Sequence, residues 1–263
     1  MTHKKRDPKT MLLNVFILLC AAAMLVCGAL FALPFFEYRA GDAAYTELSR
    51  SAAALPQPTA AEVPQKSPYP APSVPIQPDY EALLLANGDF CAWLYCEGTV
   101  INYPVVQGGD NRYYLSHLFN GQRNKMGTLF VDASNAPGFS DQNTIIYGHH
   151  MKNGSMFASL VGYKKQAYYD EHPELLLLTP SAAYRAELFA GYIIQGYATN
   201  DVYKKSFDTE AQFLSFLGAA RTNSDFVSDV EVTAEDRIIT FSTCTYEYDD
   251  SRYVVLGKLV RIE

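Results

Sequence analysis

Ile238-Ile239-Thr240-Phe241-Ser242-Thr243-Cys244, followed after six intervening residues by Ser251-Arg252-Tyr253-Val254-Val255, decides how this chain is read. The first run is short and rich in β-branched side chains, which suit a pleated, half-buried surface, so it is expected to be a strand ending on a thiol. Thr245-Tyr246-Glu247-Tyr248-Asp249-Asp250 is too polar for a core and suits a loop. The second run then opens another strand with a guanidinium. Similar short runs lie upstream at 92–95, 101–106, 128–131, 143–147, 175–179 and 184–195, while the two beside the loop extend over 237–243 and 253–262. Gly98, Gly108-Gly109 and Gly121 punctuate them as turns. Helical patterns are few. Residues 79–86 read as a short helix with an acidic first turn, and 155–160 suit a helical turn. In 208–220, Phe213, Leu214, Phe216 and Leu217 recur at helical spacing behind a candidate cap at Asp208, with Gln212 in the first turn. Many short strands with few helices predict a mainly β fold closed into a small barrel.

The thiol needs a proton-transfer partner, and the best candidate lies in Asn143-Thr144-Ile145-Ile146-Tyr147-Gly148-His149-His150, where a strand delivers an imidazole and Gly148 lets the backbone turn. A free thiol has a pKa of about 8.5, so little of it is thiolate at neutral pH. A neighbouring imidazolium or guanidinium favours the thiolate. Histidine can also protonate a departing amine, and arginine can donate hydrogen bonds to a carbonyl oxygen that becomes an oxyanion. Taken singly, each residue has a plainer meaning. A cysteine at a strand end is more often a small buried hydrophobe, a Gly-His-His a surface turn or half a metal site, and an arginine a solvated charge. Together they specify acyl transfer through a thioester.

Thr240-Phe241-Ser242-Thr243-Cys244 resembles the active-site signature of the sortases, and Tyr147-Gly148-His149-His150 resembles the histidine motif of class B sortases. An arginine eight residues after the cysteine also matches that class, as do Ile101-Asn102-Tyr103-Pro104-Val105-Val106-Gln107-Gly108, Asn111-Arg112-Tyr113-Tyr114-Leu115 and the helix at 208–220. Phe241 stands where the signature more often has leucine, one apolar residue for another. The resemblance runs from about residue 89 to the C-terminus. It implies a sortase-like barrel of eight strands, its site in a groove near the ends of the strands bearing Cys244 and Arg252. It also implies Cys244 as nucleophile, His149 as general acid/base and Arg252 as oxyanion or substrate-carbonyl donor, with no catalytic role for His150, no metal and no cofactor. Asn111 and Ser242 resemble positions that contact substrate; Leu115 and Tyr147 join them as candidate substrate-binding residues, with Tyr246 and Tyr248 as further aromatics near the site.

Composition narrows the remaining choices. A net charge of −7 argues against a nucleic-acid partner, which calls for a basic footprint, and 49% hydrophobic with 13% aromatic residues excludes wholesale disorder. The five cysteines form no disulfide framework: Cys20 and Cys27 lie in an apolar segment and Cys91 and Cys96 in an expected strand, which leaves Cys244 free. Lys4, Lys5, Arg6 and Lys9 precede a charge-free apolar run over 11–33, slightly more than the about 20 residues that cross a bilayer as a helix. The basic flank predicts a cytoplasmic N-terminus; a cleaved signal peptide is the rival reading. The expected organisation is a cytoplasmic basic tail (1–10), a transmembrane anchor (11–33), an extracytoplasmic stalk (34–78) and a catalytic domain (79–263). The stalk is rich in Pro, Ala, Ser and Gln over 56–78 and carries a weak amphipathic helical pattern over 37–54.

The resemblance implies a membrane-anchored cysteine transpeptidase of the Gram-positive surface, single-pass, with its catalytic domain outside. Such an enzyme cleaves a C-terminal sorting signal of secreted proteins, with a proline near the start of the signal as in Asn-Pro-x-Thr. It passes the acyl group to an amine of a peptidoglycan precursor or a pilin. On residues alone three alternatives stay open: a cysteine peptidase releasing the acyl group to water, a non-catalytic membrane-tethered β-domain with Cys244 inert and buried, and a metal site at His149-His150. A papain-like enzyme is excluded, because there the cysteine precedes the histidine.

Overall fold

The computed structural model describes residues 8–52, 75–195, 201–244 and 251–262, and only the backbone of Pro8, Thr10, Phe31, Pro34 and Cys244. Most of the expected basic tail, the stalk from 53 to 74, and the loop with Tyr246 and Tyr248 lie outside the described residues. In chain order the elements are α1 (Pro8–Ala52), α2 (Tyr80–Ala86), β1 (Phe90–Tyr95), β2 (Asn102–Val106), β3 (Leu129–Val131), β4 (Asn143–Gly148), α3 (Gln166–Glu171), β5 (Glu174–Thr179), β6 (Ala182–Gln195), α4 (Glu210–Thr222), β7 (Ile238–Cys244) and β8 (Ser251–Arg261). Short 3-10 turns at Tyr113–Leu115, Phe157–Lys164 and Asp201–Tyr203 lie between strands.

The strands close into a barrel in the order β1-β2-β3-β4-β7-β8-β6-β5, with β5 pairing back onto β1. The mainly β, eight-stranded barrel expected from the sequence is therefore what the chain forms. Two pairings are parallel, β2 with β3 and β4 with β7; the others are antiparallel. Because β4 is covered on both faces, every one of its residues is buried, which explains a nearly continuous apolar run in place of alternation. Trp93 sits in the core with its indole N–H donating to Asn102 Oδ1 at 2.7 Å, so the one tryptophan is buried without leaving a polar atom unmet.

A second apolar layer lies outside the barrel. Phe213, Phe216, Leu217 and Ala220 of α4 bury themselves on Phe189, Ile194, Val254 and Leu256 of β6 and β8. The cap of this helix is Thr209, one residue beyond the Asp208 expected from sequence. Thr209 has extended backbone (φ −141°) and its hydroxyl accepts the Gln212 N–H at 3.2 Å, while Gln212 Oε1 accepts the Asp208 N–H at 3.1 Å.

The N-terminal helix differs more from expectation. In place of an anchor and a separate short helix there is one helix of 45 residues. Its residues from Glu37 onward lie against the barrel: Tyr45 is 5% exposed, donates its hydroxyl to the Gly127 carbonyl at 2.6 Å and meets Tyr103 edge-to-face at 5.4 Å. Gly41, Tyr45 and Ala52 are buried and Leu48 half-buried, a stripe at helical spacing. Two of its four members are Gly and Ala, which carry little hydrophobicity, so the pattern is faint in the sequence.

Candidate active site

The parallel register of β4 and β7 aligns Tyr147 with Ser242 and Gly148 with Thr243. His149 and Cys244 are the next residue on each chain, so they leave the same end of two strands that run about 4.8 Å apart. In the antiparallel β7–β8 pair, Cys244 lies opposite Arg252. Three residues far apart in sequence thus come to one end of three neighbouring strands. A groove of about 320 Å³ opens there, lined by Asn111, Leu115, Tyr147, His149, Ser242 and Arg252, all singled out from the sequence. Arg112, Phe130, Gly148 and Thr243 complete its wall.

His149 Nε2 stands 2.7 Å from the Leu115 carbonyl oxygen. A carbonyl only accepts, so Nε2 carries a hydrogen and Nδ1 is the nitrogen left to take up or release a proton. Leu115 thereby contributes through its backbone as well as through its exposed side chain in the groove. The turn that presents this carbonyl is held by Gly127, whose φ of +62° favours glycine. A β-carbon there would also run into the Tyr114 carbonyl oxygen and press on the His149 ring. Gly148 acts differently from the turn expected of it. It ends β4, and a β-carbon at that position would collide with Leu129 and Phe157.

Arg252 is half-buried and donates from Nη1 to the Ser251 carbonyl at 3.2 Å. Ser242 is buried, its hydroxyl 2.8 Å from the Tyr203 hydroxyl. Among the described residues none hydrogen-bonds the buried Thr243 hydroxyl beside it. Asn111 and Tyr147 share one partner that the sequence reading missed: Asp132 Oδ2 accepts from Asn111 Nδ2 at 3.0 Å and from the Tyr147 hydroxyl at 2.9 Å. Asp132 Oδ1 accepts from the Ser134 hydroxyl at 2.6 Å and faces Lys205 at 3.4 Å. Burial pushes the Asp132 pKa up, but the Ser134 and Tyr147 hydrogen bonds and the Lys205 ammonium outweigh it and hold the carboxyl below its ordinary range.

The two other thiols of the barrel, Cys91 and Cys96, offer no rival. Burial, reinforced by Asp89, pushes Cys91 up to about 12, and burial also raises Cys96. His150 faces Met156 across an isolated β-bridge and does not line the groove. Among the described residues no three His, Cys, Asp or Glu side chains gather as a metal ion would need.

Residues 94–260 match the family model described as the Sortase domain. Sortase B of Listeria monocytogenes is 39% identical over 178 residues, 66% of this chain and 71% of that protein. The chain belongs to the class B sortase family. Among solved structures, a Staphylococcus aureus sortase B–substrate complex superposes with a TM-score of 0.66 at 32% identity, covering 70% of this chain and 85% of that one. Sortase B from Bacillus anthracis in complex with AAEK1 gives 0.71 at 30% identity, over 86% and 99%. As a class B sortase the protein is a cysteine transpeptidase. Asp132, Tyr203 and Gly127 are the residues around this sortase site that sequence reasoning passed over. The cue for Asp132 was its Asp-x-Ser turn at the end of a strand; Tyr203 offered none, because its place depends on a distant loop folding back.

Proposed function

We propose that this sortase is anchored in the membrane through residues 11–33. There it cleaves the C-terminal sorting signal of a secreted protein and joins the new acyl end to an amine of the cell wall or of a pilin. What carries the reading is the arrival of His149 and Arg252 in one groove at the end of the strand that finishes on Cys244. The Cys244 thiolate attacks the scissile carbonyl carbon, and the resulting oxyanion takes hydrogen bonds from Arg252. As the C–N bond breaks, the departing amine receives the proton from His149 Nδ1, leaving a thioester. The acceptor amine then attacks the thioester carbon, the C–S bond breaks, and the amine's surplus proton returns to Nδ1. Throughout, the Leu115 carbonyl holds the opposite edge of the imidazole and keeps the ring oriented.

Asn111, Leu115, Tyr147 and Ser242 are assigned to the peptide, and the polar ones among them are held by Asp132 and Tyr203. Anchoring is supported by the exposed apolar start of α1, whose 18-residue window reaches a mean hydropathy of 2.7, and an outside location of the barrel by the basic N-terminus. The test is mass spectrometry of the acyl-enzyme with a set of sorting-signal peptides. Cys244→Ala abolishes the adduct, and His150→Ala retains most of the turnover. Adding an amine diverts product from acid to amide; product that stays acid whatever amine is supplied would identify a hydrolase instead.

A further inference from the structure

We propose that the barrel sits directly on the bilayer, through a rim of basic residues that binds anionic phospholipid headgroups around the exit of α1. The rim is Arg39, Arg123, Lys125 and Lys152. The inference rests on the reading of 11–33 as a membrane span.

Contact between α1 and the barrel begins where the apolar run stops. Phe35 and Phe36 are 55% and 63% exposed. The next residue, Glu37, already touches the barrel: its carbonyl accepts Asn124 Nδ2 at 2.9 Å, and its carboxylate accepts the Lys125 N–H at 3.0 Å and pairs with the Lys125 ammonium at 3.3 Å. Gly41 lies against Met126 and Asn124, and Asp42 accepts Asn153 Nδ2 at 3.0 Å. Two barrel loops, 123–126 and 152–154, are therefore tied to positions 37–42. From Leu33 to Glu37 the chain spans about 6 Å as helix and at most about 14 Å extended. The headgroup layer is itself roughly 5–7 Å thick on each side of the hydrocarbon. Whatever bend Pro34 introduces, the two loops cannot be lifted clear of the surface.

The charges suit that position. The whole chain carries −7, yet Arg39, Arg123 and Lys152 are exposed and make no ion pair among the described residues. The Lys125 side chain is 65% exposed beside its partner Glu37. The two carboxylates of this region, Glu37 and Asp42, are both turned to the barrel. Arg39 lies over the Phe35 ring at 5.9 Å, placing a guanidinium and an aromatic ring where a helix leaves the apolar layer. Anionic lipid attracts such a juxtamembrane cluster, and salt weakens the attraction.

The experiment uses the full chain in nanodiscs of phosphatidylcholine, with or without about one third phosphatidylglycerol. Acylation rates of individual lysines are read by mass spectrometry. Lys204 is the reference: its carbonyl bonds Asn143, at the far end of β4 from the loop bearing Asn153. Lys125 and Lys152 should react at least about threefold more slowly in the anionic discs, and about 0.5 M salt should erase the difference, with Lys204 unchanged. Arg123→Gln should lessen the protection of Lys125 and Lys152. Equal rates in the two discs would overturn the proposal. Protection that persists in detergent and grows with protein concentration would give the face to a second copy and overturn it equally. A chain that alkaline washing strips from the discs would refute the membrane span itself, so the two failures are told apart.

Discussion

At the scale of single residues, the arrangement around His149 makes a statement about where a proton resides. With Nε2 donating to the Leu115 carbonyl, the neutral ring should carry its hydrogen on Nε2 and leave Nδ1 bare. Long-range nitrogen–proton correlation spectra of the labelled enzyme check this directly; a neutral ring protonated on Nδ1 would contradict it. Asp132 makes a second statement. It holds Asn111 and Tyr147 through one oxygen, so Asp132→Asn should loosen both at once. The expected cost is about 1–3 kcal/mol of stability, and a rise in KM on the order of tenfold with kcat changed less, measured by urea denaturation and by peptide kinetics. Because the Asp132 carboxyl is held below its ordinary range, its contribution is complete above about pH 4 and fades as the pH falls through the folded-state value. The Asn variant should lack that part of the acid destabilisation. The Asp-x-Ser turn at Asp132 marked the residue but not its partners, since the two side chains it serves come from a turn and from the next strand.

Elements were legible to the degree that each carries its own signal. All eight strands were expected near their actual places because β-branched and aromatic runs bounded by turns state their case locally. Their order round the barrel was not legible, since the β4–β7 pairing joins segments with two strands and two helices between them. The cap of α4 was misplaced by one residue because Asp208 and Thr209 are both good caps; backbone conformation selects Thr209. Thr209→Ala should therefore cost about 1 kcal/mol, and Asp208→Ala clearly less, in thermal or chemical unfolding. Equal losses would return the cap to Asp208. The long α1 was read in two parts because its docking stripe uses Gly41 and Ala52, whose burial depends on close approach more than on hydrophobicity.

For the whole molecule, closure of the sheet is what turns sequence motifs into a site. β4, β7 and β8 are consecutive in the barrel, so the histidine, cysteine and arginine motifs need no loop excursion to meet. The seam between α1 and the barrel bears on how the enzyme is cut down for work in solution. Tyr45 plugs the space beside Tyr103 and Gly127, and Gly127 in turn borders the His149 ring. Trimming the gene so that translation starts at Asp79 discards that plug and wets a surface meant to stay dry. A start at Glu37 keeps it. The shorter protein should melt several degrees lower and turn over peptide more slowly, as scanning calorimetry and initial rates would register. Two preparations of equal thermostability and rate would mean that the plug is dispensable. If the shorter protein does lose stability and rate, kinetic constants collected on enzyme trimmed past Tyr45 describe a damaged histidine loop, and the choice of first codon becomes a variable of the assay.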